Sequence, residues 1–265
     1  MWMRTTCNLE FQLEDPTPLI LMLRARSGAR QWIARESYTI APNVPVQEYT
    51  DIFGNLCQRL TAPAGEFHVR TSADVITRDS LEQAQGGGFV EIPDLPNEAL
   101  MYLLPSRYCE SDRFGNMARE IVDGLPLGYD QVERITTWIR DSIRYAPGTS
   151  AFPLSAVEAN IQGEGVCRDL SHLGIALCRA ISIPARLVVG YLYGLQPMDM
   201  HAWFEAYVDD HWYTFDPTES TLRGGRLAVA YGRDAADVAI YTQFGPPATY
   251  SDMQVSVELL DAPPG

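Results

Sequence analysis

Apolar and polar positions alternate in short runs over the first 77 residues, at Cys7–Leu13, Leu19–Ala25, Trp32–Ile40, Asn55–Leu60 and Phe67–Ile76. A period of two marks strands with one buried face. Between the runs fall Asp15-Pro16, Ser27-Gly28 and Pro63 to Gly65, residues whose backbone preferences favour turns. The pattern predicts a small all-β, sandwich-like domain over residues 1–77. From Thr77 to about Arg107 the alternation lapses into Gly86-Gly87-Gly88, Pro93, Pro96 and Pro105, which predicts a linker over 78–106.

Beyond the linker the period becomes helical. Ser111–Val122 is one helix candidate, and Asp130–Tyr145 is a second, with Val132, Ile135, Trp138, Ile139 and Ile143 on one stripe; the two are expected to pack together. Ser155–Ile161 is a shorter candidate. Gly163 and Gly165 precede a helix that opens at Cys167 and runs to Ile181, stopping before Pro184. Strand-like runs follow at Ala185–Tyr193, His201–Val208 and Trp212–Phe215, and a last alternating run, Gln254–Leu260, can return to either sheet. Helices followed by an antiparallel sheet make an α+β core over 107–245, with 246–265 a C-terminal strand and tail.

Composition narrows the function classes. At 265 residues and 46% hydrophobic the chain can bury a sizeable core. Its 34 acidic against 20 basic residues give a formal charge of −14, which repels phosphate backbones and anionic lipid surfaces, so neither nucleic acid nor membrane is an expected partner. The longest apolar stretch near the N-terminus, Leu19–Leu23, is far short of the roughly 20 residues of a membrane span. With no secretory signal pattern, the expectation is a soluble, cytoplasmic protein. All 20 basic residues are arginine, so no lysine amine can take part in chemistry. Five cysteines (7, 57, 109, 167 and 178) without a CxxC pair argue against a disulfide framework. Cys7, Cys57, Cys109 and Cys178 read as small buried hydrophobes.

Cys167 reads differently because it opens a helix, where unpaired N–H groups and the positive dipole end favour a thiolate. It needs a base from among His68, His172, His201 and His211. His68 lies in the β-rich part, and His172, five positions along the same helix, points about 140° away from Cys167. His201 and His211 flank Asp209-Asp210. If those two residues form the turn, facing positions sum to 419, and alternation puts His201, Trp203, Glu205, Thr214 and Asp216 on one face. His201 is then a diagonal neighbour of Asp216, at a Cβ separation of about 7 Å, and Asp216 can orient its ring; Asp199 is the rival. The expected arrangement has Nδ1 toward Asp216 and Nε2 toward the sulfur. Arg168 and Asp169 read as a solvated first helical turn. Cys, His and Asp are also metal-ligand types, but without several histidines or paired cysteines neither metal nor cofactor is expected.

Four ordered segments, Gly163-Glu164-Gly165-Val166-Cys167-Arg168-Asp169, Ile183-Pro184-Ala185-Arg186 with Gly190-Tyr191, His201-Ala202-Trp203-Phe204-Glu205 and Phe215-Asp216-Pro217-Thr218, resemble the bacterial transglutaminase-like family, and the first 77 residues resemble the β domain often attached to such cores. The resemblance implies a papain-like α+β fold, with Cys167 as nucleophile, His201 as general base and acid, and Asp216 as orienter. Arg168 stands where animal-type transglutaminases carry an aromatic, and no calcium-loop pattern is present, so calcium dependence is not implied. The leading expectation is a thiol hydrolase, a cysteine protease or amidase, acting on peptide or protein amide substrates. The alternatives are amine transfer by a transglutaminase proper and a catalytically inactive peptide-binding scaffold.

Overall fold

The computed structural model describes residues 1–149 and 152–261; residues 262–265 of the expected C-terminal tail lie outside it. The chain begins with six strands, β1 (Trp2–Leu13), β2 (Thr17–Arg24), β3 (Gln31–Ala41), β4 (Gln47–Thr50), β5 (Leu56–Ala62) and β6 (Gly65–Thr77). Helix α1 (Asn97–Leu100) lies in the Pro-rich segment, followed by α2 (Gly115–Ile121), α3 (Tyr129–Ser142), the short strand β7 (Arg144–Tyr145), α4 (Ala156–Gln162), β8 (Glu164–Gly165) and α5 (Cys167–Ala180). Strands β9 (Ala185–Leu192), β10 (His201–Val208), β11 (His211–Phe215), β12 (Arg226–Gly232), β13 (Tyr241–Gln243) and β14 (Tyr250–Leu259) complete the chain. The result is a mixed helix and antiparallel-sheet architecture.

Three four-stranded sheets organise the molecule: β14-β1-β6-β3, β13-β2-β5-β4 and β11-β10-β9-β12. The first two belong to the N-terminal module, and each gains its outermost strand from the C-terminal end of the chain. Phe11, Leu9, Leu19, Leu21 and Phe67 fill the space between them, buried on the alternate positions the sequence pattern marks. The module is also pinned to the third sheet. Arg30 pairs with Glu205 at 2.8 Å, Gln31 exchanges two 2.8 Å bonds with the Ala228 backbone, and Asn55 exchanges bonds of 2.7 and 2.8 Å with that of Tyr231.

Two local readings change. The Ser111–Val122 segment splits into a 3-10 turn at Ser111–Arg113 and α2, because Phe114 leaves helical geometry. The helix expected to reach Tyr145 stops at Ser142, since Arg144 and Tyr145 are drawn into parallel pairing with Glu164 and Gly165. The apolar stripe on α3 holds, with Val132, Ile135 and Ile139 fully buried. Ser155 caps α4 through a reciprocal pair with Glu158, and Gly163 ends that helix at φ 71°, where a side chain would be strained.

Helix α5 is the spine of the core, buried along most of its length. Its Gly174 lies against Phe204 of β10 so closely that a Cβ there would sit 2.6 Å from the ring. Near its end, buried Arg179 donates to the carbonyls of Ala185, Leu104 and Arg233 and to the Ser106 hydroxyl, tying strand, linker segment and a distal loop to one guanidinium. Gly174→Ala is therefore expected to destabilise the fold by about 1–3 kcal/mol through overpacking, lowering the thermal midpoint by roughly 2–4 °C per kcal/mol; an unchanged midpoint in calorimetry contradicts this packing.

Candidate active site

Cys167 is the first residue of α5, and the backbone is turned into it by pairing rather than by a capping hydroxyl. Arg144 N donates to Gly163 O and Ala146 N to Gly165 O, both at 2.9 Å, which fixes the chain two residues before the helix. Asp169 then accepts from Val166 N at 3.2 Å and Leu154 N at 3.1 Å. Asp169 is fully buried, so the solvated first turn read from the sequence is instead a structural anchor, with Arg168 held against it at 3.2 Å. Cys167 is partly exposed, whereas Cys7, Cys57, Cys109 and Cys178 are buried.

His201 begins β10, and the β10–β11 hairpin has the expected register, pairing Phe204 with Phe215 and Glu205 with Thr214. Asp209 and Asp210 make the turn at φ 49° and 58°, the left-handed geometry of a two-residue type I′ hairpin. Asp216 lies one residue past β11. Its Oδ2 meets His201 Nε2 at 2.7 Å, both side chains fully buried. The two ring nitrogens are thus the reverse of the expected arrangement. The diagonal span is bridged by the distal nitrogen, which leaves Nδ1, nearer the backbone, buried with no other partner among the described residues and available to the Cys167 thiol. Donation from Nε2–H to the carboxylate leaves a lone pair on Nδ1 in the neutral ring. Asp199 accepts from its neighbour Met200 N at 2.7 Å instead.

Burial alone would lower the imidazole pKa, but the hydrogen bond to Asp216 and the neighbouring Cys167 sulfur outweigh it and raise His201 to about 9. Burial likewise penalises the Asp216 carboxylate, and Arg226 and His201 overturn that penalty, holding it well below the usual range. Arg226 Nη2 lies 2.8 Å from Asp216 Oδ2, Thr218 donates to Oδ1 through N–H and hydroxyl at 2.9 and 2.7 Å, and the Arg226 guanidinium stacks 5.1 Å above the Trp203 ring. Nothing in the sequence reading singled out Arg226; its one signal is a cation opening the otherwise apolar run of β12.

The remaining histidines have other places. His172 is buried, stacked on Tyr108 at 5.3 Å, with Nδ1 donating to Leu154 O at 2.8 Å and Nε2 accepting from Ala235 N at 3.2 Å. His68 and His211 are exposed.

Cys167 and His201 open into a cleft of about 690 Å³. Val189, Leu195, Met198 and Met200 give it an apolar wall, Asp199 and Asp252 supply carboxylates, and Tyr145 stands beside Cys167. Burial and the neighbouring charges of Cys167, Asp216 and Asp199 push the Tyr145 phenol up, so it stays a neutral donor. A second cavity, of about 730 Å³, reaches Asp216 from behind but touches neither Cys167 nor His201.

A cysteine at a helix mouth beside a strand histidine held by a buried carboxylate, on helices packed against an antiparallel sheet, is the architecture of thiol enzymes. Residues 115–217 match the family profile described as the Transglutaminase-like superfamily. The crystal structure of a candidate cysteine protease from Cytophaga hutchinsonii is similar over 100% of this chain and 93% of its own, at 34% identity and a TM-score of 0.88. The uncharacterised protein ML0607 of Mycobacterium leprae is 28% identical over 98% of this chain and 99% of its length. The chain belongs to the transglutaminase-like superfamily. Among the described residues, no helix is long and apolar enough to cross a membrane.

Exposure and charge make a chemical prediction. Burial pushes the Cys7 thiol up to about 12 and the Cys109 and Cys178 thiols higher still, which suppresses their thiolates. Iodoacetamide at neutral pH is expected to alkylate Cys167 first in the folded protein, with the buried thiols reacting only after denaturation; peptide mass mapping that finds Cys178 or Cys109 modified as fast as Cys167 contradicts the assignment.

Proposed function

We propose that this protein is a cysteine amidase or protease that cleaves amide bonds of peptide or protein substrates through an acyl-enzyme on Cys167. The observation that carries the proposal is the buried 2.7 Å bond between His201 Nε2 and Asp216, which directs Nδ1 to the thiol. Nδ1, acting as general base, takes the proton of the Cys167 thiol. The Cys167 thiolate attacks the substrate carbonyl carbon, and the resulting oxyanion is met by backbone N–H at the start of α5, where such groups have no intrahelical partner. The neutral Tyr145 hydroxyl supplies a second donor. Collapse of the tetrahedral intermediate breaks the C–N bond as Nδ1–H protonates the departing amine. Water then gives a proton to Nδ1 and adds to the thioester, and the thiolate leaves as the carboxylic acid product forms.

Water, rather than an amine, is proposed as the second nucleophile. It is present at about 55 M, and an enzyme without a dedicated amine site hydrolyses its thioester unless the pocket excludes water. The position after the cysteine, aromatic in animal-type transglutaminases, is Arg168, and it is held by Asp169. Offering glutamine-containing peptides with and without a labelled primary amine tests the reading. The expected result is release of ammonia at a rate the amine leaves unchanged, lost in Cys167→Ala; amine incorporation outpacing hydrolysis would turn the assignment to a transferase.

The pH dependence follows from His201. Its proton is needed for the leaving amine and is lost as pH rises through about 9, so kcat/KM should fall on that side. Asp216 raises the imidazole, so Asp216→Asn should move the alkaline limb to lower pH and reduce kcat/KM by about 10²–10⁴-fold. A limb that stays in place contradicts the coupling. The His201 contribution to folding stability has the same sign: full below the ordinary value of about 6.5 and fading as pH rises through about 9. Tyr145→Phe should lower kcat by up to about 10²–10³-fold with little change in KM if the phenol meets the oxyanion; a pure KM effect would make it a binding residue instead.

A further inference from the structure

We propose that the free edge of β14 is a docking strand for the substrate's own backbone, so that the cleft takes an extended, unfolded stretch of polypeptide rather than a small isolated amide. The inference rests on the hydrolase reading and adds the substrate class to it.

Two strands from the C-terminal part of the chain line the cleft that holds Cys167: Tyr241 of β13, and Ser251, Asp252 and Met253 of β14, are among its lining residues. Each strand is the outermost of its sheet. Strand β13 is three residues long, whereas β14 runs for ten, and its strand partner among the described residues is β1 alone.

The direction of its backbone groups follows from the ladder. Leu260 N donates to Trp2 O at 3.0 Å, which makes these two a hydrogen-bonded pair, and such pairs recur at every second residue of an antiparallel ladder. Asp252, Gln254, Ser256 and Glu258 therefore turn their N–H and C=O toward β1. Ser251, Met253, Val255 and Val257 turn theirs outward, and this outward set begins inside the cleft.

An uncovered row of backbone donors and acceptors is a template for another strand, and proteins ordinarily blunt it with lysine, proline or a bulge. Strand β14 carries no proline, its two charges are Asp252 and Glu258, and its ten pairs with β1 run without a register shift. A long, regular edge without proline or bulge that reaches the cleft holding Cys167 fits peptide capture by strand addition.

The cleft also sets the charge of its occupant. Asp199 and Asp252 lie in its wall, and Arg168, the arginine that lines it, is already ion-paired with Asp169. The docked segment is accordingly one with apolar side chains against Val189, Leu195 and Met198 and basic side chains toward the two carboxylates.

The test separates docking from chemistry. Fluorescein-labelled ten-residue peptides with a central glutamine and an arm of alternating valine and arginine are titrated into the full-length Cys167→Ser protein, and each backbone amide of the arm is N-methylated in turn. The expected result is a Kd raised about tenfold at every second position and less than twofold at the positions between. Replacing arginine by glutamate should weaken binding by a further tenfold or more. Val255→Pro, which removes an outward N–H and spares the β1 ladder, should raise Kd about tenfold for the parent peptide. Absence of binding, or a methylation scan without the period of two, overturns the proposal. Ammonia release from the unmethylated parent peptide by the wild-type protein reads the chemistry independently. Turnover there with a flat scan removes the docking strand and keeps the hydrolase, whereas a period-two scan without turnover upholds the docking strand and removes the hydrolase.

Discussion

The hydrogen bond between His201 and Asp216 lies where neither group can exchange its partner for water, and the surrounding core is arranged around that fact. An ionised carboxylate buried to this extent is costly unless charges and donors compensate it. Here Arg226 supplies the charge and Thr218 two hydrogen bonds, with the Trp203 ring under the guanidinium. Removing one partner leaves the others buried and unbalanced, so the cluster behaves as a unit. Its consequence is directional: with Nε2 committed to Asp216, Nδ1 is the nitrogen left for Cys167.

The two halves of the molecule meet on the same scaffold. Helix α5 presents Cys167 at one end and, through Arg179 at the other, ties together the Pro-rich segment, the start of β9 and the loop after β12. The N-terminal sheets are joined to the third sheet by Arg30–Glu205 and by the paired amides of Gln31 and Asn55, and they are completed by β13 and β14, which also form part of the cleft wall. The cleft wall and the contact between the modules thus share the same strands. Glu205 illustrates the economy, since it pairs with Arg186 from within the core and Arg30 from the N-terminal module.

Much of this was legible in the sequence because local chemistry agreed with the final fold. The Asp209-Asp210 turn tolerates left-handed backbone, so the 419 pairing sum could be read directly, and with it the shared face of His201 and Asp216. The helix opening at Cys167 was legible from the glycines before it and Pro184 after it. What was not legible depended on long-range pairing. Strand β12 reads as Leu-Ala-Val-Ala-Tyr, with no alternation, because it is almost wholly buried on both sides. Arg144 and Tyr145 look helical until Glu164 and Gly165 pair with them. The side of the His201 ring that meets Asp216 is set by how far β11 extends, which alternation alone does not specify. Asp169 looked like a solvated turn because its partners, the Val166 and Leu154 backbone amides, carry no side-chain signature.

The central claim is that Cys167 carries the acyl group between two half-reactions, and rapid-quench intact mass spectrometry tests it most directly. Mixed with a peptide p-nitrophenyl ester, the protein should show a burst of nitrophenol matched by a transient mass increase equal to the acyl group, localised to Cys167 by peptide mapping and decaying at the steady-state rate. Turnover with no adduct at Cys167, or with the adduct on another residue, would contradict the account.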